Sequence, residues 1–226
     1  MASPLDLEEQ EQLDQLKSFW KQYGNLVTWA LIAVLGAYAA WNGWHWWQRD
    51  QAIKSGAMFD ELDRAAQAGD AERAGHIFAD MRERFPRTVY TQQAGLLAAK
   101  VQFDKTQSDA ALATLAWVAE HAAEPEYQLI AHLRAAGVLL DQKKYDAALA
   151  QLDAASGADT PFAPLLADRR GDVLLLQGKT DAAKAAYTQA RQAMDAKVEY
   201  RRLIEAKLTV LGAAPADATP AVEMTK

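Results

Sequence analysis

The residues that could do chemistry in this chain are few and badly spaced for it. Its four histidines are His45, His76, His121 and His132, and none stands in a metal-ligand spacing such as H-E-x-x-H. There is no cysteine, which removes disulfides, thiol nucleophiles and thiolate metal sites. Serine is scarce (Ser3, Ser18, Ser55, Ser108 and Ser156), and no G-x-S-x-G elbow, Walker loop or G-x-G-x-x-G turn is present. The best acidic pair is Asp168 and Asp172, four residues apart and so on one helix face. With Arg169 and Arg170 beside them, a surface charge network is the better reading than an acid/base pair. The net charge of −6 and the lack of a dense Lys/Arg cluster argue against nucleic acid as a partner. No catalytic, cofactor or metal residues are expected. The chemistry left to this chain is binding.

Two kinds of element must do the positioning. The first is a run from Gln22 to Gln48, 27 residues without Asp, Glu, Lys or Arg. Its centre, Leu26 to Trp41, is almost wholly apolar. About 20 such residues cross a bilayer core of roughly 30 Å as a helix. Leu26, Val27, Leu31, Ile32, Val34 and Leu35 each favour insertion by about 0.3–0.6 kcal/mol, together about 2–4 kcal/mol. Trp20 and Tyr23 at one end, with Trp41, Trp44, Trp46 and Trp47 at the other, form two interfacial belts. A soluble core helix is disfavoured, because no other stretch is apolar enough to partner it. A cleaved signal is disfavoured too. Ala37-Tyr-Ala39 has the form of a cleavage site, but the leading segment is acidic (Asp6, Glu8, Glu9, Glu11, Asp14) where a signal is basic. The run is expected to be a permanent single-span anchor in a lipid bilayer.

Lys17 and Lys21 flank one end and Arg49 and Lys54 the other, so the positive-inside rule gives no orientation. Ala33, Gly36, Ala40 and Gly43 put four small residues on one face of the span. Such a face lets another membrane helix approach closely, although Ala and Gly are common in spans anyway. Beyond Gln48 the helix could continue unbroken to Ala68-Gly69-Asp70 or break near Gly56.

The second element is a repeat. Asp109-Ala-Ala-Leu-Ala-Thr-Leu115, Asp146-Ala-Ala-Leu-Ala-Gln-Leu152 and Asp181-Ala-Ala-Lys-Ala-Ala-Tyr187 match, with Glu72 to Phe78 a degenerate fourth copy. The alanines Ala74, Ala111, Ala148 and Ala183 recur 37, 37 and 35 residues apart. The tetratricopeptide period is 34, with a small residue at position 8, Ala at 20, a large apolar residue at 24 and Ala at 27. On that frame Gly171, Leu174, Gly178, Ala183, Tyr187 and Ala190 fit best. Ala136, Leu139, Ala148, Leu152, Ala155 and Pro161 make a third repeat; Ala99, Ala111, Leu115 and Pro125 a second; Gly69, Ala74, Phe78 and Pro86 a first. Constant phase across four copies argues against a generic Ala-rich bundle. A last helix, from about Val198 to Leu211, should cap the array, with Arg201, Arg202, Glu205 and Lys207 in water and Leu203, Ile204, Leu208 and Leu211 inward.

The expected fold is therefore all-α: an acidic lead (1–21), a transmembrane helix (22–48), a tetratricopeptide-like α-solenoid (49–211) and a disordered tail (212–226). First helices line the concave face of such arrays. That face should carry Leu133, Gly137, Leu140, Asp168, Asp172 and Leu175 as candidate partner-binding residues, or as packing between repeats.

The acidic lead, the span ending Trp44-His-Trp-Trp-Gln-Arg49, and the hairpin Ala167-Asp-Arg-Arg-Gly-Asp-Val-Leu-Leu-Leu-Gln-Gly178 together resemble the YfgM family. Its members are ancillary subunits of the bacterial SecYEG translocon. The resemblance covers nearly the whole chain except the Pro-rich tail. It implies an inner-membrane protein with a cytoplasmic amino end and periplasmic repeats. It further implies association with the translocon and with a membrane-anchored chaperone of the peptidyl-prolyl isomerase-like type. It brings no catalytic residues. The functional expectation is a tethered adaptor. The alternatives are a scaffold for another envelope assembly, an array facing the cytoplasm, or an enzyme using the array as scaffold.

Overall fold

The computed structural model describes residues 7–155 and 161–214, with side chains from residue 13 onward. Every regular element among them is a helix: α1 (Leu7–Gln67), α2 (Ala71–Arg84), α3 (Val89–Asp104), α4 (Ser108–His121), α5 (Pro125–Asp141), α6 (Tyr145–Ala154), α7 (Ala163–Leu176), α8 (Thr180–Ala193) and α9 (Tyr200–Val210). Helix α1 runs through Gly56 without a break. The chain divides into two compact units, Met1–Ile53 and Lys54–Lys226. Most of the expected tail, and the first residues of the acidic lead, lie outside the described residues.

In the first unit α1 contains one stretch long and apolar enough to cross a membrane, and 6% of that window is buried. Leu26, Trp29, Val34 and Leu35 are all more than 60% exposed. A stretch apolar all round and this exposed suits lipid rather than a soluble core.

In the second unit the repeat frame governs the turns. Each hairpin must reverse the chain after its first helix, and the cheapest reversal is a left-handed residue just past the helix end. Gly69 (φ +68°), Thr106 (+60°), Lys143 (+57°) and Gly178 (+78°) supply it, all at the same repeat position. The hydrogen bonds recur as well. The N–H of the next residue reaches back to a carbonyl five residues earlier: Asp70 to Ala65 at 2.9 Å, Gln107 to Gln102 at 2.8 Å, Lys144 to Leu139 at 2.9 Å and Lys179 to Leu174 at 2.9 Å. Asp70 then caps α2 by accepting from the Arg73 N–H at 3.0 Å. Thr88 caps α3 by accepting from the Thr91 N–H.

The four phased alanines, Ala74, Ala111, Ala148 and Ala183, are fully buried, and their large partners Phe78, Leu115, Leu152 and Tyr187 are at most 3% exposed. In the second to fourth repeats the small position 8 follows its neighbour's size, whereas the first carries Leu62 there. Ala99 and Ala136 belong to the repeats with Leu115 and Leu152. Gly171 belongs to the repeat with Tyr187, and a Cβ there would sit 2.4 Å from the ring. Three successive apolar clusters result. One is centred on α2–α4 with Leu62 and Ala65 of α1, one lies between α5, α6 and α7, and one holds α8 and α9 to α7. Each hairpin packs mainly on its sequence neighbours, as a solenoid requires.

The capping helix departs from the expected amphipathic pattern. Ile204 and Leu208 point inward, at 0% and 1% exposure, but Leu203 is 48% exposed. Glu205, expected in water, is 8% exposed, and Lys207 is half-buried. The reason is that α9 is held as much by ion pairs as by apolar contact. Arg191 Nε and Arg201 Nε lie 2.9 and 3.2 Å from Glu205 Oε1.

Candidate functional site

The first helices α3, α5 and α7 adjoin one another and form a common face. Side chains stitch it across repeats: Gln93 Nε2 donates to the Tyr127 hydroxyl at 2.8 Å, and Arg134 Nη1 to the Leu96 carbonyl at 3.0 Å. The six expected binding residues divide on this face. Leu133 and Gly137 are partly exposed on α5, and a Cβ at Gly137 would meet nothing within 4 Å. Leu175 is partly exposed and packs on the third cluster. Leu140 is 8% exposed and lies within the second cluster. Asp168 is 2% exposed, and Asp172 is partly buried.

The charge network expected of the two aspartates forms in part, since Asp172 pairs with Arg169, but Asp168 is buried and its partners come from elsewhere. The two aspartates form the centre of a clamp that fastens α9 to α7. Lys207 Nζ donates to both Asp168 oxygens, at 2.8 and 2.9 Å, and to Asp172 Oδ1 at 2.7 Å. The Tyr200 hydroxyl donates to Asp168 at 2.8 Å and the Tyr187 hydroxyl to Asp172 at 2.8 Å. The ammonium also lies 5.1 Å from the Tyr187 ring centre. Of the two arginines, Arg169 stands 3.7 Å from Asp172, while Arg170 pairs with Asp153 on α6. Burial, with a hydrogen bond to Asp168, pushes the Tyr200 phenol up to about 12. Burial, with a hydrogen bond to Asp172, raises Tyr187 further still. Both phenols are therefore donors at neutral pH, and a buried carboxylate held by an ammonium and a phenol is a structural joint. Sequence periodicity missed it because its partners come from α8 and α9, 15 to 39 residues away.

On the first unit, Ala33, Gly36, Ala40 and Gly43 are exposed, and a Cβ on either glycine would meet nothing within 4 Å. The belt residues Trp20, Tyr23, Trp41, Trp44, Trp46 and Trp47 are all exposed. Within the second belt Trp44 and Trp47 rings lie 5.3 Å apart, and Trp41 meets His45 edge-on at 4.5 Å. Among the described residues, no group of three or more His, Asp or Glu side chains could hold a metal ion.

A family model described as a tetratricopeptide repeat-like domain matches residues 17–213. An ancillary SecYEG translocon subunit of Neisseria gonorrhoeae is 34% identical over 91% of this chain and 98% of its own length. Proteins of the same description from Haemophilus influenzae and Escherichia coli are 27% and 28% identical, over 82% and 79% of this chain and 90% and 85% of their own. With its exposed charge-free run in α1, its four phased hairpins and this near full-length match, the chain belongs to the YfgM family of tetratricopeptide repeat-like proteins.

Proposed function

We propose that this chain is a membrane-tethered, non-catalytic adaptor of the SecYEG translocon. The carrying observation is the 34% identity, over nearly both full lengths, to a relative named as an ancillary subunit of that translocon. The apolar part of α1 spans the inner membrane once, with the amino end in the cytoplasm and the repeats in the periplasm. The small-residue face, Ala33, Gly36, Ala40 and Gly43, packs against a translocon helix, where close backbone approach replaces the hydrophobic effect. The repeats hold a periplasmic chaperone of the membrane-anchored, peptidyl-prolyl isomerase-like type, or secretory proteins as they emerge. Tethering raises the local concentration of such a binder to about millimolar, so a weak site suffices.

On the repeat face, Leu133 and Gly137 are the residues of the expected set that remain open to a partner, with Leu175 at the edge. The exposed span supports the anchor, and the absence of any assembled nucleophile, acid/base pair or phosphate loop in the sequence supports a binding role. Photo-crosslinkers placed at Gly36 and at Gly137 in intact membranes test the reading. Adducts with translocon subunits from Gly36, and with a chaperone or a translocating chain from Gly137, are expected. Adducts with neither would refute it.

A further inference from the structure

One cation on the face of α3, α5 and α7 lacks what its neighbours have. Lys100 lies 2.6 Å from Asp104, Arg169 stands 3.7 Å from Asp172, and Arg170 pairs with Asp153. Arg134 has no carboxylate within ion-pair distance among the described residues. A guanidinium carries five N–H donors. Arg134 commits one, Nη1, to the Leu96 carbonyl at 3.0 Å. That carbonyl sits inside α3, where the helical pattern directs the Lys100 N–H to it. Desolvation against α3 pulls the Arg134 pKa down, and no counter-charge offsets it. The side chain is nonetheless exposed, so its four other donors stand open to a partner.

The surroundings say what kind of partner would fit those donors. Gly137 lies one turn along α5 from Arg134, on the same side, and its Cβ position is open to 4 Å. Leu133 and Ile130, on the same helix, are half-buried and pack at the edges of two different clusters. A planar fork, an open step and apolar shoulders suit a carboxylate side chain flanked by an aliphatic one. An anionic lipid surface suits the face less well. It draws on several free cations at about 1 kcal/mol each, and the other basic residues named above are already neutralised.

We infer that the α3–α5 face, through Arg134 with Leu133 and Gly137, docks an extended acidic–apolar segment of a protein partner, an Asp or Glu carboxylate taking the free guanidinium donors. The inference rests on the adaptor reading and gives its repeat face a partner chemistry.

The test uses the full chain in detergent micelles and two dye-labelled peptides, Ac-Leu-Glu-Leu-Glu-Leu-amide and its Gln isostere, read by fluorescence anisotropy. The Glu peptide should bind saturably and the Gln peptide at least tenfold more weakly. Arg134→Gln should weaken the Glu peptide about tenfold and leave the Gln peptide unchanged. Arg134→Lys should fall between, since an ammonium keeps charge but not the fork. Circular dichroism of each variant confirms retained helix. Equal binding of the two peptides, an unaffected Arg134→Gln variant, or no saturation by millimolar Glu peptide would overturn the inference. So would an Arg134→Gln variant that loses binding to phosphatidylglycerol vesicles but keeps the Glu peptide. A photo-crosslinker at Gly137 in intact membranes separates the two levels. Adducts lost on adding Arg134→Gln support the carboxylate dock. Adducts undiminished by it refute the dock and leave the adaptor standing. No adduct in either background counts against both.

Discussion

Replacing Gly171 by Ala is the sharpest perturbation the repeat geometry offers, because the same fold contains its own control. A Cβ at position 171 would lie 2.4, 2.6 and 2.9 Å from three atoms of the Tyr187 ring. Ordinary contact begins near 3.4 Å, so the ring must retreat by about 1 Å. Tyr187 is 1% exposed and its hydroxyl is tied to Asp172 at 2.8 Å, so little room exists for that retreat. Overpacking of this kind costs about 1–3 kcal/mol, and loosening the phenol hydrogen bond adds about 1 kcal/mol. The second and third repeats show the tolerated alternative, Ala99 with Leu115 and Ala136 with Leu152. Gly171→Ala combined with Tyr187→Leu should therefore cost less than the two single changes summed, by a coupling of about 1–2 kcal/mol. Because repeat arrays open locally, the assay is amide hydrogen exchange over α7 and α8 in the detergent-solubilised full chain. Faster exchange confined to α7–α9 in the single mutants, with partial restoration in the double mutant, is expected. Strict additivity, or a Gly171→Ala variant as protected as the parent, would refute the volume-matching account.

Three further outcomes follow from the same structure. Lys207→Met leaves Asp168 buried without its cation and should cost about 2–4 kcal/mol, seen as selective loss of exchange protection in α9. Tyr200 and Tyr187 hold their protons more tightly folded than unfolded, so the stability they add is full below the ordinary phenol pKa near 10 and is lost as pH rises. The clamp should loosen between about pH 10 and about pH 12 in pH-jump exchange, and Tyr187→Phe with Tyr200→Phe should flatten that dependence. Thr106 and Lys143 hold left-handed backbone where two sister turns have glycine, so Thr106→Gly and Lys143→Gly should each stabilise by about 0.5–1 kcal/mol in urea titrations followed by circular dichroism. A loss of stability from either would mean that those turns are held by side-chain contacts instead.

Much of the fold was legible because it is local and periodic. Ala74, Ala111, Ala148 and Ala183 repeat at nearly constant spacing, and a residue that must be small at every hairpin crossing leaves that trace. The turns were half legible. Gly69 and Gly178 announce left-handed backbone, while Thr106 and Lys143 adopt it only because the hydrogen bonds of the hairpin impose it. The candidate site was read less well. Glu205 and Lys207 look like solvent residues on a helical wheel, which counts polarity and cannot see Arg191 or Asp168 arriving from other helices. Arg134 gave no signal at all, since what sets it apart is the carbonyl of a residue 38 positions earlier. Leu140 and Asp168 share a repeat face with Leu133 and Gly137, and only packing by neighbouring elements tells the buried from the open.

The claim that the repeats work on the export side of the membrane is tested most directly by fusing alkaline phosphatase after residue 214 and assaying intact cells. The enzyme folds into its active form only when exported. Full activity, with an inactive cytoplasmic reporter at the same junction, is the expected result. An inactive phosphatase on a stably expressed, membrane-bound fusion would put the repeats in the cytoplasm and contradict the account.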